Sequence, residues 1–240
     1  MAALIFDQVT FGYGQRNIFQ NLDLQLDDRE ILGIVGISGC GKSTLLRLAS
    51  MLLTPNSGSV FIGSKLGYVF QSPELLPWRS ALDNVALPLE LAGKSRAYAK
   101  EKALVALHEI GLGDAATLKP HELSGGMQMR TSLARALVVK PDLLLLDEPF
   151  ATLDELTRRK ILGDLSILLA QSGTPTLIVS HSLTEAAYLC DRVLVLSASG
   201  SLAGELRLPT DRSNNPINRI DSIEVATNAA MLFQMMLQES

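Results

Sequence analysis

The run Ile31-Leu32-Gly33-Ile34-Val35-Gly36-Ile37-Ser38-Gly39-Cys40-Gly41-Lys42-Ser43 constrains the fold more than any other part of the chain. A continuous apolar stretch reads as a buried strand, a glycine-rich loop follows, and Ser43 to Leu53 repeats apolar residues at helical spacing. The segment therefore predicts a strand, loop and helix of the α/β kind. Gly36 to Ser43 matches the phosphate-binding loop pattern in full, in the setting that such a loop requires. Its glycines let successive backbone N–H groups face one anion, and the positive end of the following helix dipole adds to the attraction. Lys42 is then expected to reach the β- and γ-phosphates of a nucleotide, and Ser43 to ligate Mg²⁺.

At 240 residues the chain can bury one substantial core, with room for a smaller subdomain. Its composition, 47% hydrophobic and 19% charged, excludes a disordered protein, and a net charge of −4 gives no basis for binding nucleic acid. Cys40 and Cys190 are too few for a disulfide framework and have no metal-ligand spacing, which fits a reducing cytosol. The first residues lack the features of a secretory signal, and no apolar run approaches the ~18 residues of a membrane span. Any membrane role is expected to need another chain to cross the bilayer.

Strand formers from Leu4 to Tyr13 and alternating leucines from Asn21 to Leu26 predict an antiparallel sheet at the N-terminal side. Residues Ser72 to Leu123 carry Ala, Leu, Lys and Glu at helical periods, and Pro73, Pro77, Pro88 and Pro120 are expected to break them. Within this insert the basic run Lys94 to Lys102 reads as a solvated helix face. The α/β pattern resumes with a helix from about Ser124 to Val139, strands at Leu143–Leu146, Thr176–Val179 and Arg192–Leu196, and a turn at Gly200 that ends the recognisable body. In the tail, Asn214-Asn215-Pro216 reads as a loop. Ile223, Ala226, Ala230, Phe233 and Leu237 form a helical stripe, expected to fold back onto its own domain, with a partner surface as the alternative. The domain reading is a body over 1–205, with a helical subdomain at about 71–123, and a tail over 206–240.

Asp147 and Glu148 end the four-leucine strand, where carboxylates face the crevice that binds ligands in parallel sheets. Asp147 is expected to hold Mg²⁺, and Glu148 to polarise the attacking water as general base. Alone, such a pair is a solvated loop; the phosphate loop gives it a function. Together these features predict a P-loop NTPase core. Leu123-Ser124-Gly125-Gly126-Met127 adds a second helix start with backbone donors, which by itself is a plain helix cap.

The order of elements, namely phosphate loop, Gln71 after a strand, Leu123–Met127, Asp147-Glu148, the turn Ala151-Thr152-Leu153-Asp154 and His181 after a strand, resembles the ABC ATPase family over about residues 4 to 205. The resemblance implies that family's fold: an α/β P-loop NTPase core with an N-terminal antiparallel β-subdomain and an inserted helical subdomain. It implies an ATPase whose nucleotide contacts Tyr13, the loop from Gly36 through Thr44 and, from the other half of a head-to-tail dimer, Ser124, Gly125 and Gly126. Phe11 competes with Tyr13 for stacking on adenine. Gln71 would touch Mg²⁺ or water and sense a membrane partner, Asp154 would link the two halves, and His181 would contact the γ-phosphate. With Lys42, the residues Glu148, His181 and Gln71 would then carry catalysis.

Within the family the chain most resembles the importer ATPases for nitrate, taurine and aliphatic sulfonates, on the stretches Val69–Trp78, Asp83–Leu89 and Asp147–Phe150 and on Met127. Met129-Arg130-Thr131 departs from that group, as does the short segment Gly58–Gly67. The implied partners are integral-membrane permease subunits docking on Ser72–Trp78, a second ATPase subunit, most simply the same chain, and indirectly a solute-binding protein. The implied location is peripheral, at the cytoplasmic face of the cell membrane. The rival reading is an ABC ATPase of DNA repair, chromosome organisation or translation. The first two need a long coiled coil that does not fit between Lys42 and Ser124, and the third usually needs two cassettes.

Overall fold

A computed structural model describes residues 2–208 and 219–238. Strands β1 (Ala2–Tyr13) and β2 (Arg16–Asp27) form an antiparallel hairpin. The second sheet contains β3 (Ile31–Gly36), and helix α1 (Lys42–Ala49) follows it. β4 (Ser57–Ile62) completes the first sheet against β1, in the order β2-β1-β4.

β5 (Leu66–Val69) forms one edge of the second sheet, which continues through β6 (Leu143–Asp147), β7 (Thr176–Val179), β3, β8 (Arg192–Leu196) and β9 (Leu202–Arg207). All of its pairings are parallel except β8 with β9. A parallel sheet has both faces covered, so its strands are apolar throughout. Ile31, Val35, Leu144, Leu146 and Ile178 join one core with α4 (Gly125–Leu137), α5 (Glu155–Ser172) and α6 (Leu183–Leu189). The alternate residues Leu32, Ile34, Leu143, Leu145 and Leu177 join a second core with α1 and the antiparallel sheet. A third cluster lies within the insert, where α2 (Ala81–Leu91) and α3 (Arg96–Glu109) pack through Val85, Ala86, Ala103 and Leu107.

The structure corrects several sequence expectations. α1 stops at Ala49 rather than Leu53: the amides of Ser50, Met51, Leu52 and Leu53 turn back onto the carbonyls of Arg47, Leu46 and Leu48, and Met51 takes a φ of 58°. Pro55 also disfavours helix at Thr54. Pro88 does not break a helix; it sits inside α2, where burial of Val85, Ala86 and Leu89 outweighs one missing amide. The Gly200 turn leads into β9 rather than out of the body, and β9 has no apolar run to mark it, its residues being half-buried or exposed.

The terminal helix α7 (Ile223–Leu237) is present, but it docks by a different face from the one expected. Val225 and Leu232 are buried, with Ala229, Met235 and Met236 packed beside them against the core. The stripe Ile223, Ala226, Ala230, Phe233 and Leu237 faces outward. Anchors outside the apolar pattern set this rotation: Arg159 makes a two-pronged pair with Asp221 at 2.8 and 2.9 Å, and Arg219 donates to the Tyr188 carbonyl while covering the Tyr188 ring. The expected loop at Asn214-Asn215-Pro216 lies outside the described residues.

Leu232→Ala should therefore cost about 2–4 kcal/mol in urea denaturation, as a fully buried leucine does, while Phe233→Ala should stay within about 0.5 kcal/mol. Equal losses at the two positions would mean that α7 is rotated from this placement.

Candidate functional site

Among the described residues, α2, α3, α4, α5, α6 and α7 each begin with a side chain accepting a hydrogen bond from the first turn: Ser80, Ser95, Ser124, Asp154, Ser182 and Ser222. α1 alone has no such cap and no acidic residue in its first turn. Its N-cap position is Gly41, with a φ of 111°, where a Cβ would lie 2.7 Å from Ile18 and 2.9 Å from Phe19. Glycine is the residue that fits both the backbone angle and the space. The unspent amides at the start of α1 and the dipole behind them make an anion site.

Lys42 follows the turn and is buried. Its Nζ donates to the carbonyls of Gly36 (2.8 Å) and Ile37 (3.0 Å), which fixes the ammonium inside the loop and leaves one of its three donors for an anion. A cavity of about 400 Å³ opens over this loop, lined by Tyr13, Arg16, Ser38, Gly39, Gly41 to Thr44 and Glu148. A cleft of about 640 Å³ at the opposite, N-terminal ends of β3, β6 and β7 is larger, but it has no helix start that gathers donors. Of the two candidate aromatics, Tyr13 lines the cavity, while Phe11 is buried and meets Tyr13 edge to face at 5.0 Å.

Adjacency of β6, β7 and β3 brings the other groups to the same edge of the sheet. Asp147 Oδ1 accepts from the Ser43 hydroxyl at 3.2 Å, and burial pushes the Asp147 carboxyl above the usual range, with the Ser43 hydrogen bond opposing. Tyr68 donates to the same carboxylate at 3.5 Å; burial first, and Asp147 second, hold the phenol far above its ordinary value. Glu148 has a φ of 45°, a left-handed conformation unusual for a side-chain-bearing residue, and its amide donates to the Val179 carbonyl of β7. Its Oε2 lies 3.3 Å from Nδ1 of His181, the second residue beyond β7.

Asp147 and His181 stand behind the cavity lining, reaching it through Ser43 and Glu148, and Gln71, Asp154 and the Ser124–Gly126 segment do not line it. Gln71 is exposed just beyond Phe70, whose ring stacks on Tyr68. Ser124 caps α4 and Asp154 caps α5, where the Thr157 amide holds the Asp154 carboxyl below the usual range. These two helix starts touch, because a Cβ at Gly126 would collide with the Thr157 methyl. Gly126 therefore has a packing reason to be glycine besides any ligand. Arg16 belongs to no sequence motif, and only its pairing opposite Tyr13 in the hairpin places it at the cavity. The buried Glu185, which accepts from Ser180, likewise has no motif to mark it.

A family model described as ABC transporter matches residues 19–151. The chain is 46% identical over 203 residues to the aliphatic sulfonates import ATP-binding protein SsuB of Mycobacterium sp. (strain MCS), covering 84% of this chain and 83% of that one. It is 42% identical over 211 residues to aliphatic sulfonates import ATP-binding protein SsuB 2 of Paracoccus denitrificans (strain Pd 1222), covering 88% and 84% of the two chains. Among solved structures, it is similar to the ATP-binding cassette MJ0796 in a dimeric post-hydrolysis state bound to ADP and Pi. That match has a TM-score of 0.76 at 31% identity and covers 86% of this chain and 99% of that one.

Because the Asp147 pKa is raised above its unfolded value, its ionised form weakens the fold at neutral pH. That cost fades as pH falls through the raised value toward the unfolded one. Asp147→Asn should therefore melt higher than the parent chain at pH 7 without nucleotide, with the gain shrinking to nothing in acid. A gain that grows on acidification would contradict the burial effect.

Proposed function

The chain belongs to the ABC transporter family and is an ATP-hydrolysing subunit, and from that premise we propose that it powers import of sulfonate-like solutes as a head-to-tail dimer beneath membrane permease subunits. The sulfonate class is supported by the two import relatives, and the dimer by the dimeric cassette. The observation that carries the site is the uncapped start of α1 under a glycine loop, with Ser43, Asp147, Glu148 and His181 linked at its mouth.

In this reading the loop amides and Lys42 hold the β- and γ-phosphates, and Tyr13 lies beside the base. The hydroxyl of Ser43 and the carboxylate of Asp147 are hard oxygen donors that fit Mg²⁺. Two protein oxygens suit an ion whose other ligands are phosphates and water. When bound, Mg²⁺ neutralises phosphate charge. Glu148 accepts a proton from the attacking water, and His181, held at the Glu148 carboxylate, contacts the γ-phosphate. Catalysis is mostly positioning and charge neutralisation.

Ser124, Gly125 and Gly126 lie apart from the cavity, which favours a site completed by the second copy. Gln71 leads into Ser72–Trp78, proposed as the permease dock. Trp78 is 70% exposed there, and Arg135 of α4 ties the segment to the Ser124 helix through the Pro73 and Glu74 carbonyls at 2.8 and 2.6 Å. No described helix is long and apolar enough to cross a membrane. In this reading the chain sits peripherally at the cytoplasmic face, beneath the permease subunits that cross it.

Glu148→Gln keeps the shape of the side chain and loses its basic oxygen, so it should lower kcat by about 10²–10⁴-fold with ATP affinity nearly unchanged. Wild-type turnover in the purified variant would remove Glu148 as base. The two-copy site has its own test, read by ATP trapping in a Glu148→Gln background. Lys42→Ala and Ser124→Arg chains each form homodimers with two broken sites, yet their mixture should trap one ATP per heterodimer. Verified heterodimers that trap no more than the separate variants would exclude the head-to-tail arrangement.

A further inference from the structure

Glu185 on α6 is 4% exposed, and burial pushes its carboxyl above the usual range. A buried carboxylate is a poor way to fill space, since an apolar residue of similar size does so without losing hydration. Both of its oxygens face groups connected to the site. Oε2 accepts from the Ser180 hydroxyl at 2.7 Å, and Ser180, whose oxygen also accepts from the Ser182 amide at 2.9 Å, immediately precedes His181. Oε1 lies 3.9 Å from Nε of Arg158 on α5.

Arg158 is in turn fixed to the turn before α5: it donates to the Leu153 carbonyl at 2.9 Å and pairs with Glu155 at 3.3 Å. Its Nε is buried and, among the described residues, has no hydrogen-bond partner. The contact with Glu185 is thus an ion pair about 1 Å longer than a hydrogen bond, between a donor that lacks an acceptor and a carboxylate that can accept. A small movement of the Leu153-Asp154 turn would close it.

We propose that Glu185 is a positioning residue that couples the Leu153-Asp154 turn to His181, through Arg158 on one side and Ser180 on the other. The proposal rests on the reading that Glu148 and His181 act on ATP, and on Asp154 lying where the second copy engages. Engagement of the turn draws Arg158 onto Glu185, and Glu185 holds Ser180, so His181 keeps its place 3.3 Å from the Glu148 carboxylate. The parts that bind nucleotide, Lys42 and the start of α1, stand outside this chain of contacts.

The test is steady-state ATP hydrolysis by the full chain, with melting temperatures measured on the same variants. Glu185→Ala and Arg158→Ala should each lower kcat about tenfold or more while KM for ATP stays within about threefold, and the double variant should be no slower than the slower single one. Glu185→Gln, which keeps an acceptor for Ser180 without the charge facing Arg158, should fall between. Leu189→Ala, a buried truncation on the same helix, should lower the melting temperature with kcat within about twofold of the parent. The proposal is overturned by single effects that multiply in the double variant, by kcat following melting temperature through the whole set including Leu189→Ala, or by a change confined to KM. Should Glu185→Ala not fold, Glu185→Gln and Arg158→Lys carry the same comparison. Wild-type turnover by Glu148→Gln would instead bring down the reading of the site itself, and the proposal with it, whatever Glu185 does.

Discussion

The start of α1 is a helix terminus that no side chain caps among the described residues, and the rest of the site is arranged around that deficit. The other described α-helices close their first turns with a serine or an aspartate. At α1 the loop from Gly36 to Gly41 supplies no such oxygen, and Lys42 adds a buried positive charge. Three positive sources face one space: amides, dipole and ammonium. Such a terminus is tolerated because the sheet under it is buried on both faces, where apolar burial at roughly 25 cal/mol per Å² supplies far more stabilisation than one missing cap removes.

The same edge of the sheet gathers groups that are individually unfavourable. Asp147 and Glu185 carry carboxylates whose ionisation burial resists, Arg158 keeps a buried donor that finds no acceptor among the described residues, and Glu148 sits in a left-handed backbone. Their meeting at the ends of β6 and β7 and the starts of α5 and α6 has a functional rationale, since a ligand bound there supplies the missing partners.

The α/β core was legible because its signals are local. The Ile31–Ser43 run fixes a strand, loop and helix by composition alone, and the four leucines of β6 are readable as a buried strand. β9 was not legible, since an edge strand exposed along much of its length has no apolar run. The docked face of α7 was not legible because its apolar residues encircle the helix; Arg159, Arg219 and Asp221 decide which side turns inward, and apolar periodicity gives them no weight. In the candidate site, the loop residues and the Asp147-Glu148 pair stand in contiguous motifs. Arg16, Tyr68, Arg158 and Glu185 are scattered through the chain and come together only by strand order.

The left-handed backbone at Glu148 bears on how this protein can change over generations. A side chain there costs about 1–2 kcal/mol that glycine would not incur. Selection for heat resistance or expression alone, applied without a demand for turnover, would thus favour losing the carboxylate. A lineage released from its transport duty has no reason to keep the carboxylate here, and without it the fold would still take up nucleotide and no longer cycle.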